Sequence, residues 1–151
     1  MSIDRKLKEL DIVLPNAPSP VGSYVPFVRS GSLLFISGQI PTVNGKLLFE
    51  GKVPEKVSID NARDCARLCF LNALAHANNA LSSLDEISRI VRMTGYVASS
   101  EGFVDQASVM NGASDLSFEI FEEIGRHARL AVGVYELPLG APLELEVILE
   151  V

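Results

Sequence analysis

The chain has 151 residues, of which 48% are hydrophobic and 21% charged, and its formal net charge is −6. This size and balance predict one globular domain over residues 1–151 with one sizeable core, because a chain of this length buries about two-thirds of its unfolded surface. An acidic chain without a Lys/Arg cluster lacks the attraction that supplies most affinity for nucleic acid, so nucleic acid is excluded from the expected partners.

The N-terminal segment and the cysteines help to predict the cellular compartment of the protein. The opening segment MSIDRKL alternates charged with apolar residues and lacks the continuous hydrophobic region of a signal peptide. No apolar run approaches the roughly 20 residues that span a bilayer, so we expect a cytoplasmic protein that does not bind membranes. Cys65 and Cys69 lie four residues apart, do not match a CxxC motif and are interpreted as small core residues.

The N-terminal part predicts a helix, a loop and a hairpin. Residues from Ser2 to Leu10 have an amphipathic pattern, which the proline-rich segment from Pro15 to Pro20 must interrupt. Aromatic and β-branched residues from Tyr24 to Arg29 and from Leu33 to Ser37 predict two strands joined by a turn.

The middle of the chain predicts a second hairpin and a long helix. Asn44-Gly45, a strong signal for a tight turn, lies between Thr42 and Pro54 and predicts a peripheral hairpin. The helix runs from Ser58 to Leu81, because small apolar residues recur at three- and four-residue spacing: Ala62, Ala66, Cys69, Ala73 and Ala77.

The C-terminal half adds a strand from Ile87 to Ala98, a helix from Val104 to Gly125 and two alternating strands. This order predicts an α+β fold in which two helices cover one face of a sheet. The last strands carry two apolar stripes, namely Ala128, Leu130, Val132 and Val134, and Leu143, Leu145, Val147, Leu149 and Val151. If these strands pair as a hairpin, Arg129 and Glu144 project together from the sheet face that the helices leave open.

Arg129 is the candidate anchor for a small carboxylate-bearing metabolite. Its guanidinium group is planar and permanently charged, so it can hold a carboxylate through two parallel hydrogen bonds. The alternative is a surface arginine paired with Glu144 or Glu146. Glu144 is a candidate acid or base that positions water, and its alternative is a solvated glutamate on a strand.

Several sequence fragments occur together in an order that resembles the Rid (YjgF-like) family. They are Gly22-Ser23-Tyr24, Ser37-Gly38-Gln39-Ile40-Pro41, His127-Ala128-Arg129, and Leu137-Pro138 followed by Leu143-Glu144-Leu145-Glu146. The resemblance extends over most of the chain, from Pro18 to Val151.

The resemblance implies a chorismate-mutase-like mixed sheet, a homotrimer and ligand sites in the clefts between subunits. It also implies a deaminase that hydrolyses reactive enamine or imine acids, such as 2-aminoacrylate, to 2-oxo acids and ammonia, without a metal or a cofactor. In that function Arg129 would hold the carboxylate and Glu144 would handle the water. Tyr24 would close the pocket, and Ser37 and Gly38 would form its turn.

Two departures from the deaminase pattern indicate a divergent branch with a different or larger substrate. Ala131, whose backbone would complete the pocket, stands where the deaminase branch commonly has a cysteine. Asn111, Ser114 and Asp115 are either cleft residues or polar breaks in a surface helix.

The two histidines receive structural interpretations. His127 is expected on the helix-covered side, opposite Arg129, and His76 is expected half-exposed on the long helix. A second function class stays open, a non-enzymatic protein that binds 2-oxo acids. A ribonuclease, the label of some relatives, is disfavoured by the acidity and the missing basic and aromatic surface.

Overall fold

The computed structural model describes residues 2–151, in which the chain forms three α-helices and seven strands. The helices are α1 (Ile3–Glu9), α2 (Ile59–Ala80) and α3 (Gln106–Phe121). The strands are β1 (Phe27–Ser30), β2 (Leu33–Gln39), β3 (Thr42–Val43), β4 (Lys46–Leu47), β5 (Arg89–Ala98), β6 (Ala128–Val134) and β7 (Leu143–Glu150). Short 3-10 helices occupy Leu84–Glu86, Glu122–Gly125 and Pro138–Gly140.

Five strands form the main sheet in the order β1-β2-β7-β5-β6, while β3 and β4 form a small sheet of their own. β5 and β6 run parallel, whereas the other neighbours in the main sheet are antiparallel. The architecture is therefore an α+β fold with a mixed sheet, as predicted.

Both N-terminal hairpins are present where the sequence predicts them. β1 and β2 pair antiparallel around Gly31, whose φ of +60° favours glycine. β3 and β4 are joined through Asn44 and Gly45, which have φ of 51° and 80°. Two consecutive positive φ angles match the twist of paired strands, which explains why the Asn-Gly signal was reliable.

The long helix α2 begins at Ser58, whose hydroxyl accepts a hydrogen bond of 3.1 Å from the backbone N–H of Asn61. Its small apolar residues are buried and pack against α3, β2 and β7. Cys65 and Cys69 are among them, and burial raises the pKa of the Cys65 thiol to about 12. The cysteines are therefore core residues, as predicted.

Two helices cover the sheet, as expected, and the predicted N-terminal helix packs beside them. α2 and α3 cover one sheet face, and the short α1 packs against α3 and buries Leu7. The core lies between this face and the helices, and it contains Leu143, Leu145, Val147 and Leu149 of β7. Within residues 2–151, the opposite face of the sheet carries no helix.

The expected hairpin between the last two strands is wrong. β5 lies between them, with β6 parallel along one edge and β7 antiparallel along the other, and residues 135–142 connect the two past β5. Alternation within a segment is a local property, whereas the choice of neighbouring strand depends on where each buried face packs.

Candidate functional site

The predicted site residues fall into two separate groups. Tyr24, Ser37, Gly38 and Glu144 line a cavity of about 950 Å³, here called the Glu144 cavity. Its walls are the loop of residues 16–21, the end of β2, the β3–β4 turn, one residue of α2, and Glu144 with Glu146 on β7. Arg129 and Ser114 line a second cavity of about 600 Å³, here called the Arg129 groove, together with His127 and Arg126.

A break in the β2–β7 pairing creates the floor of the Glu144 cavity. The register of β2 against β7 shifts between Ile36 and Gln39, so that Gly38 leaves the regular ladder. A Cβ atom at Gly38 would collide with the Glu144 carboxylate. Glycine at this position therefore lets the carboxylate lie directly against the β2 backbone.

The two hydroxyl groups of the cavity have defined partners. The Ser37 hydroxyl donates a 2.7 Å hydrogen bond to the backbone oxygen of Val25. The Tyr24 hydroxyl accepts a 3.1 Å hydrogen bond from the backbone N–H of Val21, and its own proton remains available for donation. Ser37 therefore shapes the wall, while the half-exposed Tyr24 can act on a ligand.

Glu144 lies in surroundings that favour its neutral form. Burial raises the pKa of the Glu144 carboxyl above its usual value, and repulsion from the Glu146 carboxylate raises it further. Among residues 2–151, no lysine or arginine lines this cavity. A carboxyl group whose pKa is shifted towards neutral pH is suited to giving and taking a proton.

In the Arg129 groove, the guanidinium group is held by neutral partners. Its Nη1 donates to Asn111 Oδ1 at 2.7 Å and to Ser114 Oγ at 3.2 Å, both on α3. Within residues 2–151, no carboxylate lies within ion-pair distance of Arg129, so the alternative of pairing with Glu144 or Glu146 is wrong. The Nε and Nη2 edge remains available for a carboxylate.

His127 extends the hydrogen bonds behind Arg129. Its Nδ1 lies 2.7 Å from the carbonyl oxygen of Gly125, which can only accept, so Nδ1 carries the proton. Nε2 then accepts from the Ser114 hydroxyl at 2.9 Å. Burial lowers the pKa of His127 and the nearby Arg129 charge lowers it further, which keeps the ring neutral at pH 7.

The expected common face for Arg129 and Glu144 is wrong. Arg129 is aligned with Met93 of β5, which is fully buried on the helix-covered side, whereas Glu144 is aligned with Tyr96 on the helix-free side. His127 and Arg129 both reach α3, so the expectation that His127 lies opposite Arg129 is also wrong.

The error has a physical cause in the position of β6 at the sheet edge. Its apolar stripe faces the helix-free side, where Leu130 is 43% exposed. Alternation correctly shows which residues share a face, but it does not show which face is covered. The sheet therefore separates the proposed carboxylate anchor from the proposed water-handling group within one chain.

The remaining predicted residues also divide between the groups. Asn111 and Ser114 lie at Arg129, which supports their interpretation as site residues rather than polar breaks in a helix. Ala131 lines neither cavity. It is aligned with Gly95, whose added Cβ would collide with Met110 of α3, so Ala131 shares the helix-covered face with Arg129.

His76 is the residue that sequence reasoning missed. It is 4% exposed rather than half-exposed, and it lines the Glu144 cavity from α2. A signal was present, because position 76 is three residues after Ala73 and seven after Cys69, on the apolar face of the helix. A histidine within an apolar stripe indicated burial.

Among residues 2–151, no three His, Cys, Asp or Glu side chains lie close enough together to hold a metal ion. In the same part of the chain, no helix has the length and apolar character needed to cross a membrane.

Comparison with known proteins decides the family. Residues 4–148 match the family described as YjgF/chorismate mutase-like, a description that also includes the word endoribonuclease. The chain belongs to the YjgF/Rid family. The resemblance found in the sequence is therefore confirmed.

Individual members of the YjgF/Rid family resemble the chain over most of its length. Protein TCP17 of Trypanosoma cruzi is 40% identical over 145 residues, which are 95% of this chain and 91% of that protein. The crystal structure of a Shewanella oneidensis MR-1 protein named as an endoribonuclease has a TM-score of 0.96 at 30% identity and full coverage of both chains. Escherichia coli TdcF with bound serine has a TM-score of 0.66 at 28% identity, with 90% of this chain and 94% of TdcF covered.

Proposed function

We propose that this YjgF/Rid protein is a deaminase that hydrolyses reactive enamine or imine acids in a cleft between subunits. The proposal rests on the environment of the Arg129 side chain. Its guanidinium is oriented by Asn111 and Ser114, has no carboxylate partner within residues 2–151 and lines an open groove. Asp115 and Glu119 also line this groove, where they form ion pairs with Arg63 and Arg67. A fixed cation that keeps a bidentate edge available is suited to a small carboxylate.

The reaction requires the protein only to orient the substrate, position a water and transfer protons. An enamine such as CH2=C(NH2)–COO⁻ tautomerises to the imine CH3–C(=NH)–COO⁻. Water then adds its oxygen to the imine carbon while the nitrogen takes up protons, and the C–N bond breaks to leave the 2-oxo acid and ammonia. One water is consumed for each ammonia released, and Glu144 would take a proton from the water and return it to the leaving nitrogen.

The position of the two groups favours a site shared by neighbouring subunits. Arg129 and Glu144 lie on opposite faces of one sheet, so one chain cannot place both around a three-carbon acid. In a homotrimer, Arg129 of one subunit would meet the Glu144 cavity of the next. Close placement of reacting groups then supplies much of the rate enhancement.

A relative supports the class of ligand. TdcF has been crystallised with bound serine, a small molecule with the carboxylate and amino groups that an enamine acid also carries. The acidity of the present chain, with a net charge of −6, weighs against RNA as the substrate despite the endoribonuclease label in the family description.

The experiment compares Arg129→Ala with wild type on an imine acid generated in solution, with ammonia release as the readout. We expect a loss of about a hundredfold or more in rate, because the substrate loses its orientation. Arg5→Ala is the matched control, since Arg5 is a strongly exposed arginine paired with Glu9 on α1. Equal rates for wild type and Arg129→Ala would refute the deaminase assignment.

A non-enzymatic carboxylate-binding protein is the second candidate. The Arg129 groove has its cation and its supporting hydrogen bonds without any contribution from the Glu144 cavity. Saturable binding of 2-oxo acids that Arg129→Ala abolishes, without release of ammonia from imines, would favour this function over the deaminase.

A further inference from the structure

His76 is an unusual feature of the Glu144 cavity. Its side chain is 96% buried, since only 4% is exposed, and it lines the cavity from α2. Within residues 2–151, neither ring nitrogen hydrogen-bonds to another residue, since the histidine hydrogen bonds in this part of the chain are those of His127. A ligand in the cavity would supply the missing partner.

The wall around His76 is held in place. Asn72, one turn earlier on α2, donates from Nδ2 to the backbone oxygens of Ile40 at 3.4 Å and Thr42 at 3.0 Å. These bonds fasten the segment that follows β2 to the helix that carries His76. The imidazole is therefore positioned before a ligand binds, which lowers the entropic cost of recognition.

The charges in the Glu144 cavity limit which ligand group can bind to His76. Burial lowers the pKa of His76, so the ring is neutral at pH 7 and offers one donor and one acceptor. The ionisable side chains other than His76 and Tyr24 that line the cavity are Glu144 and Glu146, and within residues 2–151 no lysine or arginine joins them, so an anionic tail finds no cation in this chain. An apolar group would leave the imidazole unpaired, whereas a carboxamide or a hydroxyl group can donate to one ring nitrogen or accept from the other.

We propose that His76 is a specificity residue that binds an uncharged hydrogen-bonding tail of the substrate, a carboxamide or a hydroxyl group. The substrate class is then a 2-imino acid, with its 2-oxo acid product, that is longer than the three-carbon 2-aminoacrylate skeleton. This inference rests on the proposed use of the Glu144 cavity as the substrate site.

The test uses three freshly prepared 2-oxo acids whose tails have a similar shape. They derive from asparagine, leucine and aspartate, and their tails end in a carboxamide, an isopropyl group and a carboxylate, respectively. Calorimetric binding to wild type should favour the carboxamide by about tenfold over the other two, because the apolar end makes no hydrogen bond and the carboxylate end lies beside the acidic side chains of the cavity. His76→Leu should remove this preference, and His76→Gln should keep most of it because glutamine retains a donor and an acceptor.

Asn78→Leu is the matched control, since position 78 is exposed on the same helix and should leave the preference unchanged. Equal binding of the three acids by wild type, no binding of any, or a preference that persists in His76→Leu would overturn the proposal. If His76→Leu does not fold, the wild-type ranking and His76→Gln decide.

The same experiment separates this inference from the deaminase proposal. A carboxamide preference that depends on His76, in a protein that releases no ammonia from imines, would leave the specificity assignment intact while the deaminase assignment failed. If instead ammonia is released equally fast from imines with all three tails, and His76→Leu does not change the rate, the deaminase assignment stands and the specificity assignment fails.

Discussion

At the scale of single residues, the two charged groups of the candidate site are in contrasting environments. The Arg129 guanidinium is held by neutral oxygen acceptors, so its charge remains available for an anion. The Glu144 carboxyl is partly buried beside Glu146, which favours its protonated form. Both features cost stability in the absence of a ligand, a common property of binding and catalytic sites.

Because the pKa of Glu144 is raised in the folded chain, the stability of the protein depends on pH. In the unfolded chain this carboxyl ionises near its usual value of 4.5, whereas in the folded chain it ionises at higher pH. The native protein therefore loses stability as the pH rises through the folded pKa, and Glu144→Gln avoids this loss. We expect Glu144→Gln to melt at a higher temperature than wild type at pH 7, with the difference shrinking as the pH falls from the folded pKa towards 4.5 and disappearing below that value.

Thermal unfolding at a series of pH values measures this effect, with Glu150→Gln as the control on the same strand. Activity should fall in Glu144→Gln even though stability rises. A destabilised Glu144→Gln at pH 7 would contradict the assigned environment of the carboxyl group.

Ser114 connects His127 to Arg129 through two hydrogen bonds. Ser114→Ala removes one acceptor from Arg129 Nη1 and leaves His127 Nε2 without a donor. We expect a stability loss of about 1 kcal/mol and carboxylate binding that is several-fold weaker, with Asn111 still holding the guanidinium. Denaturant unfolding and ligand titration check the two parts, and Ser108→Ala on the same helix is the control.

At the scale of secondary-structure elements, the close approach of α2 and α3 depends on Gly112. A Cβ atom added there would collide with the backbone of Arg63 on α2, which cannot move aside as a side chain end can. The glycine, which interrupts an otherwise ordinary helix pattern, is therefore explained by packing. α3 in turn carries Asn111 and Ser114, so this contact also positions the groove.

Gly112→Ala tests this packing, because helix propensity and overpacking change the stability in opposite directions. In an isolated helix, alanine would be more stable than glycine by about 1 kcal/mol. We expect the opposite here, a destabilisation of about 1–3 kcal/mol from overpacking. Denaturant unfolding measures it, and a stabilised Gly112→Ala would show that the helices do not approach so closely.

At the scale of the whole molecule, the helix-free sheet face is too apolar for a surface in contact only with water. Val28, Phe35 and Leu130 project from it and are 53%, 41% and 43% exposed. Val28 and Phe35 are aligned across β1 and β2, and Leu130 lies on β6 at the other edge of the sheet. Large exposed apolar side chains on one face of a folded protein are typical of an interaction site. Together with the separation of Arg129 from Glu144, this surface supports assembly with further copies of the chain.

We expect light scattering to give a mass three times the 16.3 kDa of one chain. Leu130→Glu should dissociate the trimer and abolish activity, because a charge would be buried at the interface. Val104→Glu is the control, since Val104 is 86% exposed in the loop before α3. A monomeric wild type would remove the shared cleft on which the deaminase proposal depends.

The agreement between sequence and structure is best where the signal is local. The Asn44-Gly45 turn, the start of α2 at Ser58 and the apolar face of α2 were predictable because each depends on residues a few positions apart. The family resemblance was also predictable, because ordered motifs such as the one from Ser37 to Pro41 do not require coordinates.

Tertiary structure decided the rest. Insertion of β5 between the last two strands placed Arg129 and Glu144 on opposite faces, and the packing of α2 brought His76 into the Glu144 cavity. These relations join residues that are far apart in the chain, and their free energy comes from burial of whole faces rather than from any local pattern. Sequence alone therefore determined which side chains share a strand face, and only the packed sheet determined what each face meets.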